Sequence, residues 1–539
     1  MYSLTFSGRF VGSVTSKETS ERMKRVPRAD TKPELAVRRL VRDLGFHYRK
    51  GRKNLPGKPD ISNQSQGWAI FVHGCFWHGH EHCPRFTVPK TDTAKWLRKF
   101  AANRERDGRK ERQLRRLGFR VLTVWECELD SPATLIERLR LFLDGSLAEM
   151  PDGDGAFLES AEKPDYSEGE SVVTLVDLFS GCGGLTLGVA EACRALGRRL
   201  QVKLAVERDA TAFAVYKANF EPELSTEASL VEDWFPGDVG SPPSDEEKAN
   251  AEKIGPVDIL VAGPPCQGHS NLNNHTRGND PRNGLYERVV RTAEVLRPRC
   301  ILVEQVPSAK RDAERVVQRS TDALRGLGYD VSEGKVWLVH LGVPQQRERH
   351  VLIASSKDVP LLSHAYDLGA VAPMRNLAWA IGDIEDEVGT SLFETASTLS
   401  AKNVTRAKWL LTNDAYDLPN DQRPECHRKN PNHKYKSMYG RLRWDEPAQT
   451  ITTGFGSPGQ GRYLHPSRVR TLTPHEAARI QFFPDWFDFS AATTREALAR
   501  VIGNAVPPKL GYALARYLLG TLEPVELTDE RLNVLAAAE

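Results

Sequence analysis

The chain has 539 residues, 40% apolar and 27% charged, with 74 Lys/Arg against 71 Asp/Glu for a net charge of +3. That length exceeds one ordinary domain, and the composition excludes a largely disordered, collagen-like or fibrous protein. No apolar run reaches the roughly 20 residues of a membrane span, residues 1–20 lack a signal-peptide pattern, and eight cysteines are too sparse for a disulfide scaffold.

A soluble, intracellular protein without membrane attachment, cytoplasmic in location, is therefore expected. Residues 1–150 hold 30 Lys/Arg and 17 Asp/Glu, net +13, while the remaining 389 are net −10. Such asymmetry suits a front part that grips a polyanion, although a solvated basic surface explains charge alone equally well. Residues 150–170, with seven acids and one base, read as an acidic flexible linker, and 221–253 as an acidic surface insertion.

In chain order, residues 33–44 predict a helix with Leu35, Leu40, Val41 and Leu44 on its apolar side and Arg38, Arg39 and Arg42 opposite. Gly45 ends it. The turn Leu55-Pro-Gly-Lys-Pro-Asp60 follows, and then an apolar run, Trp68-Ala-Ile-Phe-Val72, predicts a buried strand. This strand delivers His73-Gly-Cys-Phe-Trp-His78-Gly-His-Glu-His82-Cys83, in which four of the fourteen His and two of the eight Cys lie within eleven residues. That density points to a metal, and thiolate with imidazole suits zinc. Cys75, Cys83 and one His supply three ligands, and Cys127 is the only other Cys of this region. Residues 98–120, a helical stretch with ten Lys/Arg and three acids, offer a face for phosphates.

Glu34, the turn to Asp60, Phe71-Val-His73-Gly-Cys-Phe-Trp-His78, Lys95-Trp96, Asn103-Arg-Glu-Arg-Asp107 and Val124-Trp-Glu-Cys127 together resemble the very-short-patch repair (Vsr) endonucleases, across about residues 20–145. The resemblance implies an α/β restriction-endonuclease-like fold and a nick 5′ to the thymine of a T:G mismatch. It makes Asp60 a Mg²⁺ ligand, His73 and His78 the groups serving the attacking water, and Glu34 their support. It makes Cys75, His80, Cys83 and Cys127 a structural zinc site. The segment from His78 to Cys83 is one residue longer than the commonest family pattern, so His82 is the alternative to His80, which we favour. Phe76, Trp77 and Trp96 become wedges into the duplex beside the mismatch; by composition alone such aromatics are more often core.

Beyond the linker, 172–176, 202–206, 258–262, 300–303 and 351–354 are apolar runs that predict strands. Each but the last precedes residues with chemistry. Asp177-Leu-Phe-Ser-Gly-Cys-Gly-Gly184 is a glycine-rich turn into a helix, Glu207 sits where an acid binds a ribose diol, and Gly263-Pro-Pro-Cys266-Gln267-Gly268 fixes a cysteine at a strand end. Glu304 ends the fourth run, and Gln345-Gln-Arg347-Glu-Arg349 precedes the fifth.

These blocks, with Arg470-Thr-Leu-Thr-Pro-His-Glu-Ala-Ala-Arg-Ile-Gln481 and Gly503-Asn504-Ala-Val506, resemble the DNA cytosine-C5 methyltransferases over residues 172–520. That resemblance implies a Rossmann-like α/β domain with a smaller target-recognition domain at about 355–466. It places S-adenosylmethionine among Phe179, Gly181, Gly183, Gly184, Glu207 and Asn504. Cys266 becomes the nucleophile toward a flipped cytosine, Glu304 the partner of its N3, and Arg347 and Arg349 the groups that orient the base and the neighbourhood of Cys266. Gln305 departs from the family's usual Asn, which points to a retuned loop. Cys426, His427, His433, Lys434, Tyr435 and Lys436 read as polar residues facing DNA, or simply as surface residues, rather than a metal site.

The expected organisation is a tail at 1–19, a Vsr-like domain at 20–149, the linker at 150–171 and the methyltransferase at 172–539. Double-stranded DNA is the expected partner, with mismatch-repair proteins as candidates and the bacterial nucleoid as the location. Two rival readings are a restriction–modification fusion that cleaves unmethylated DNA, and a methyltransferase whose front domain only binds DNA.

Overall fold

The computed structural model describes residues 29–521, apart from 53, 81–82, 84, 90–91, 131, 146–148, 226–227, 266–283, 312–314, 358, 360, 362–365, 367, 369–371, 387–388 and 430–436. The chain divides into two compact units, 1–139 and 140–539, ten residues before the boundary expected at 149/150.

In the first unit, Thr31 caps helix α1 (Lys32–Asp43) by accepting from the Glu34 amide. Its buried face is Glu34, Val37, Arg38 and Val41. This corrects the apolar face expected from spacing: Leu35 is 52% exposed, whereas Arg38 turns inward. The reason is an ion pair, because Arg38 donates to Glu34 at 2.9 Å and takes that acid into the interior with it. Strands β1 (Arg49–Lys50), β2 (Ile61–Asn63), β3 (Trp68–His73) and β4 (Arg120–Trp125) form one sheet in that order. The pair β3/β4 is parallel, and helix α2 (Thr93–Arg116) supplies the crossover that a parallel pair requires. Arg120, grouped with the basic helix by sequence, is the first residue of β4. The β3/β4 register sets His73 beside Trp125 at the carboxyl ends of both strands. Helix α3 (Pro132–Asp144) is tied to the turn after β4 by Arg138, which donates to Glu128 at 2.7 Å with both side chains fully buried.

The second unit is built on strands β5 (Ser171–Leu178), β6 (Arg198–Val206), β7 (Ile259–Ala262), β8 (Cys300–Gln305), β9 (Asp330–Trp337) and β11 (Glu348–Ser355). Their order is β6-β5-β7-β8-β11-β9. The first four run parallel, while β11 lies antiparallel between β8 and β9. Runs buried on both faces, such as Ile259–Ala262, are what a parallel sheet covered by helices requires. A short parallel pair, β10 (Gln345–Gln346) with β12 (Ala448–Gln449), attaches the segment after β9 to the region expected to read DNA. There, Ala407, Leu410, Leu418 and Leu464 make a separate small core.

Two acidic stretches differ from their sequence reading. Within 150–171, residues Asp154–Glu159 form a helix whose Asp154 is fully buried against Lys509. Phe157 stacks on Phe482 at 5.9 Å, and the Asp485 and Trp486 amides donate to the Leu158 and Ser160 carbonyls. Removing one partner of such a pair strands a buried charge, at a cost of about 3–5 kcal/mol. This part of the segment is therefore an element of the second unit. Within 221–253, Val231 and Phe235 join the main core, and Glu247 accepts from Arg291 at 2.6 Å with neither side chain exposed. In both cases a buried partner far along the chain neutralises an acid that composition reads as solvated. Among the described residues no helix is long and apolar enough to cross a membrane.

Candidate active sites

In the first unit, Asp60 immediately precedes β2 and His73 ends β3, its antiparallel partner. Asp60 Oδ2 accepts from the Val72 amide at 2.7 Å. Burial raises its carboxyl to about 6 against that hydrogen bond, and repulsion from Glu34 adds to the rise. A raised carboxyl with a second acid near enough to repel it is the kind of group a hard divalent cation takes, commonly one or two carboxylates plus phosphate oxygen and water. Burial and the neighbouring His78 lower His73 to about 3, so it is neutral at physiological pH.

The His73 and His78 rings stack at 3.8 Å and 11°. His78 Nδ1 lies 2.7 Å from Asp107 Oδ2 on α2. Burial pushes the Asp107 carboxyl up, yet hydrogen bonds from His78 and Arg106 outweigh it and hold the group below its usual range. Asp107 had no assigned role from sequence. It stands 29 residues from His78, and only the packing of α2 joins them. Asn103 and Arg104, on the same helix, donate to the Trp77 and Gly79 carbonyls and anchor the loop that follows β3.

Cys75, His80, Cys83 and Cys127 present one donor atom each, all within 4.8 Å of one another. His80 Nδ1 is 3.3 Å from Cys75 Sγ and 3.6 Å from Cys127 Sγ. Hydrogen bonds from Cys127 and His80 bring the Cys75 thiol down to about 4 despite burial, whereas Cys127 is driven strongly up by sharing with Cys75. One thiolate poised among such neighbours is the donor chemistry of a zinc site. His82 lies outside the described residues. Phe76, Trp77 and Trp96 converge as a partly buried cluster over Phe100, with Phe76 at 5.2 Å from Trp77 and 5.4 Å from Trp96. Lys99 lies over both indoles, at 5.2 and 4.8 Å.

In the second unit, the turn from β5 into helix α4 (Gly184–Ala195) gathers the residues expected around S-adenosylmethionine. Phe179 and Gly181 both have positive φ, 56°, and a Cβ on Gly181 would meet open space. At Gly184 a Cβ would lie 2.1 Å from the Val506 carbonyl oxygen, so only glycine lets the tail block close over the turn. Glu207, just past β6, accepts from the Gly181 amide at 2.9 Å and the Asp209 amide at 2.7 Å. Asn504 is exposed at the end of helix Arg495–Asn504. An acid held at the mouth of a glycine turn with free space beside it fits a nucleoside cofactor.

Cys266 lies outside the described residues, but the two walls expected around it are described. Glu304, at the end of β8, is 7% exposed and pairs through Oε1 with Arg349 Nε at 2.5 Å. Gln305 donates to the Pro264 carbonyl at 3.0 Å, and its own oxygen accepts from the Val306 amide at 2.8 Å. The longer side chain thus ties β8 to the turn that leads into Cys266. Arg347, the second arginine expected near the base and Cys266, is buried. Its guanidinium donates to the carbonyls of Ile451 and Ala505 at 3.1 Å and to Gln481 Oε1 at 3.3 Å, joining the region expected to read DNA to both tail blocks.

Residues 173–519 match the C-5 cytosine-specific DNA methylase family, and residues 13–85 match DNA mismatch endonuclease Vsr. The rear of the chain is 44% identical over 366 residues to Type II methyltransferase M1.BsuMI of Bacillus subtilis, covering 68% of this chain and 85% of that protein. The front is 48% identical over 124 residues to Type II nicking enzyme V.XorIIP of Xanthomonas oryzae pv. oryzae, covering 23% of this chain and 90% of that protein. It is also 40% identical over 137 residues to DNA mismatch endonuclease Vsr of Escherichia coli, covering 25% of this chain and 85% of that protein.

Proposed function

Since the chain belongs to the C-5 cytosine-specific DNA methylase family and opens with a DNA mismatch endonuclease Vsr domain, we propose that it both methylates cytosine in duplex DNA and nicks the T:G mismatches that its own product generates. Deamination of 5-methylcytosine leaves thymine opposite guanine at the methylated site. One chain then writes a mark and starts repair of the mark's decay. The observation that supports this most is that each unit holds its own assembled set of reactive side chains, His73–His78–Asp107 in front and Glu304–Arg349 behind.

In the rear unit, S-adenosylmethionine bound among Phe179, Gly181, Gly183, Gly184, Glu207 and Asn504 supplies the methyl group. The Cys266 thiolate adds to C6 of the flipped cytosine, and Glu304 bonds N3 so that electron density moves to C5. After C5 is methylated, loss of its proton and departure of the Cys266 sulfur restore the ring and free the enzyme. Arg349 keeps the Glu304 carboxyl aimed at N3, and Arg347 acts at a distance by holding the tail blocks in register. Sequence preference belongs to about 355–466, where Arg441 and Arg443 stack on Tyr416 at 4.4 and 4.0 Å.

In the front unit, Asp60, supported by Glu34, would hold Mg²⁺, which would polarise the scissile phosphate. Asp107 occupies His78 Nδ1, leaving Nε2 to take a proton from water, while neutral His73 accepts alongside it. Cys75, His80, Cys83 and Cys127 hold zinc and fix the loop. Phe76, Trp77 and Trp96 enter the duplex beside the mismatch, where unstacking is cheapest.

Bisulfite sequencing of plasmid from a methylation-free bacterial host that expresses the full chain tests the rear assignment. The expected result is dense protection of one cytosine within one motif. Soluble protein with no protected cytosine contradicts it.

A further inference from the structure

Four aromatic rings run from the cysteine-rich cluster to the hydrolytic histidines, and one of them, Trp125 at the end of β4, plays no part in the chemistry proposed so far. The His80 ring stacks on the Trp125 indole at 3.8 Å and 10°. Trp125 meets the His73 ring edge-on at 5.4 Å and 76°. His73 in turn stacks on His78 at 3.8 Å, and His78 ends the row on Asp107. The strand register sets Trp125 directly beside His73, and Cys127 follows two residues later. One short segment therefore bears both a donor of the cluster and the ring against which His73 rests.

We propose that Trp125 is a positioning residue, a rigid spacer through which the Cys75/His80/Cys83/Cys127 cluster sets the orientation of His73 and His78. This rests on the reading of the front unit as a nuclease. A flat indole clamped by His80 on its face leaves His73 one edge-on seat. A stacked pair of imidazoles then inherits that angle, and His78 is locked about its remaining freedom by Asp107. A metal on His80 and Cys127 thus immobilises the indole from both sides and, through it, the hydrolytic pair. An aliphatic side chain at 125 fills space but offers no planar seat, whereas a phenyl ring retains one.

The test uses the full-length chain as wild type, Trp125→Phe and Trp125→Leu. Co²⁺ loaded in the cluster reports its geometry by visible absorption, and ring-¹³C-histidine NMR, with signals assigned by His73→Gln and His78→Gln, reports the pair. In wild type, chelation should move the His73 and His78 signals. Trp125→Phe should keep that response, while Trp125→Leu should lose it with the Co²⁺ spectrum unchanged. Nicking of a T:G duplex should fall about 10- to 100-fold in kcat for Trp125→Leu, with KM for DNA unchanged and most of the rate restored in Trp125→Phe. Wild-type signals indifferent to chelation, or a Trp125→Leu chain that retains the metal response or the full nicking rate, would overturn the proposal. If wild type nicks no mismatch, the nuclease reading falls, and the NMR response still decides whether the indole transmits the state of the cluster.

Discussion

Replacing Cys266 with alanine is expected to abolish methyl transfer, a loss of at least about 10³-fold, while the front unit nicks at its wild-type rate. The nucleophile must be a thiolate, since adding to an aromatic C6 needs a soft, ionised sulfur at neutral pH. Serine is expected to fail in its place, because a hydroxyl is far less acidic than a thiol and stays protonated at neutral pH. The walls of the site give the reason for expecting such completeness. Gln305 pins the Pro264 carbonyl and Arg349 pairs with Glu304, so the substitution removes the nucleophile and leaves these contacts in place. Incorporation of labelled methyl into duplex DNA measures the rate. Duplex bearing 5-fluorocytosine, whose C5 has no proton to lose, should trap wild type as a denaturant-stable complex and leave Cys266→Ala unbound. Methylation by the Cys266→Ser chain would remove the assignment.

Asp60→Ala should have the second large effect, lowering T:G nicking by about 10³-fold or more through loss of the cation that polarises the phosphate. Methylation by the same chain should be unchanged. The pH dependence follows from the carboxyl itself. Burial and Glu34 hold Asp60 near about 6, and the cation binds only the ionised form. At limiting Mg²⁺ the nicking rate should therefore fall as pH is lowered through about 6, and excess Mg²⁺ should move that fall to lower pH by favouring ionisation. His73 adds nothing to this window, being neutral down to about 3. Nicking profiles at two Mg²⁺ concentrations measure the displacement. Profiles that superimpose, or an Asp60→Ala chain that still nicks, would separate Asp60 from the metal.

The parts of this molecule legible in its sequence are those written locally. Apolar runs marked β3, β5 to β8 and β11, though not β4 or β9, because a strand covered on both faces has little choice of residue, and the residues beside most of them were already candidates for chemistry. Four histidines and two cysteines within eleven residues announced a cluster in the same way. What escaped depends on partners distant in the chain. Asp107 reads as one more charge in a basic helix until α2 folds back on His78. Arg38 and Glu34 invert the apolar face of α1 because each neutralises the other. Asp154 and Glu247 read as solvated acids until Lys509 and Arg291 are set beside them. Arg347 shares a motif with Arg349 two residues away, but alternation along an extended chain turns neighbouring odd positions to a common side only where the strand is regular. Here Arg347 lies between β10 and β11 and is drawn to three carbonyl-bearing blocks.

The central claim is that one chain methylates a cytosine and nicks the mismatch left when that base decays. The direct measurement is a nicking assay of the full-length chain with Mg²⁺ on a duplex carrying the motif found by bisulfite sequencing, with thymine in place of the target cytosine and guanine opposite. The account predicts a single nick 5′ to that thymine, on that strand only, and no cut in the same duplex with C:G restored. Cleavage of the fully paired, unmethylated duplex would contradict it and identify a restriction enzyme instead.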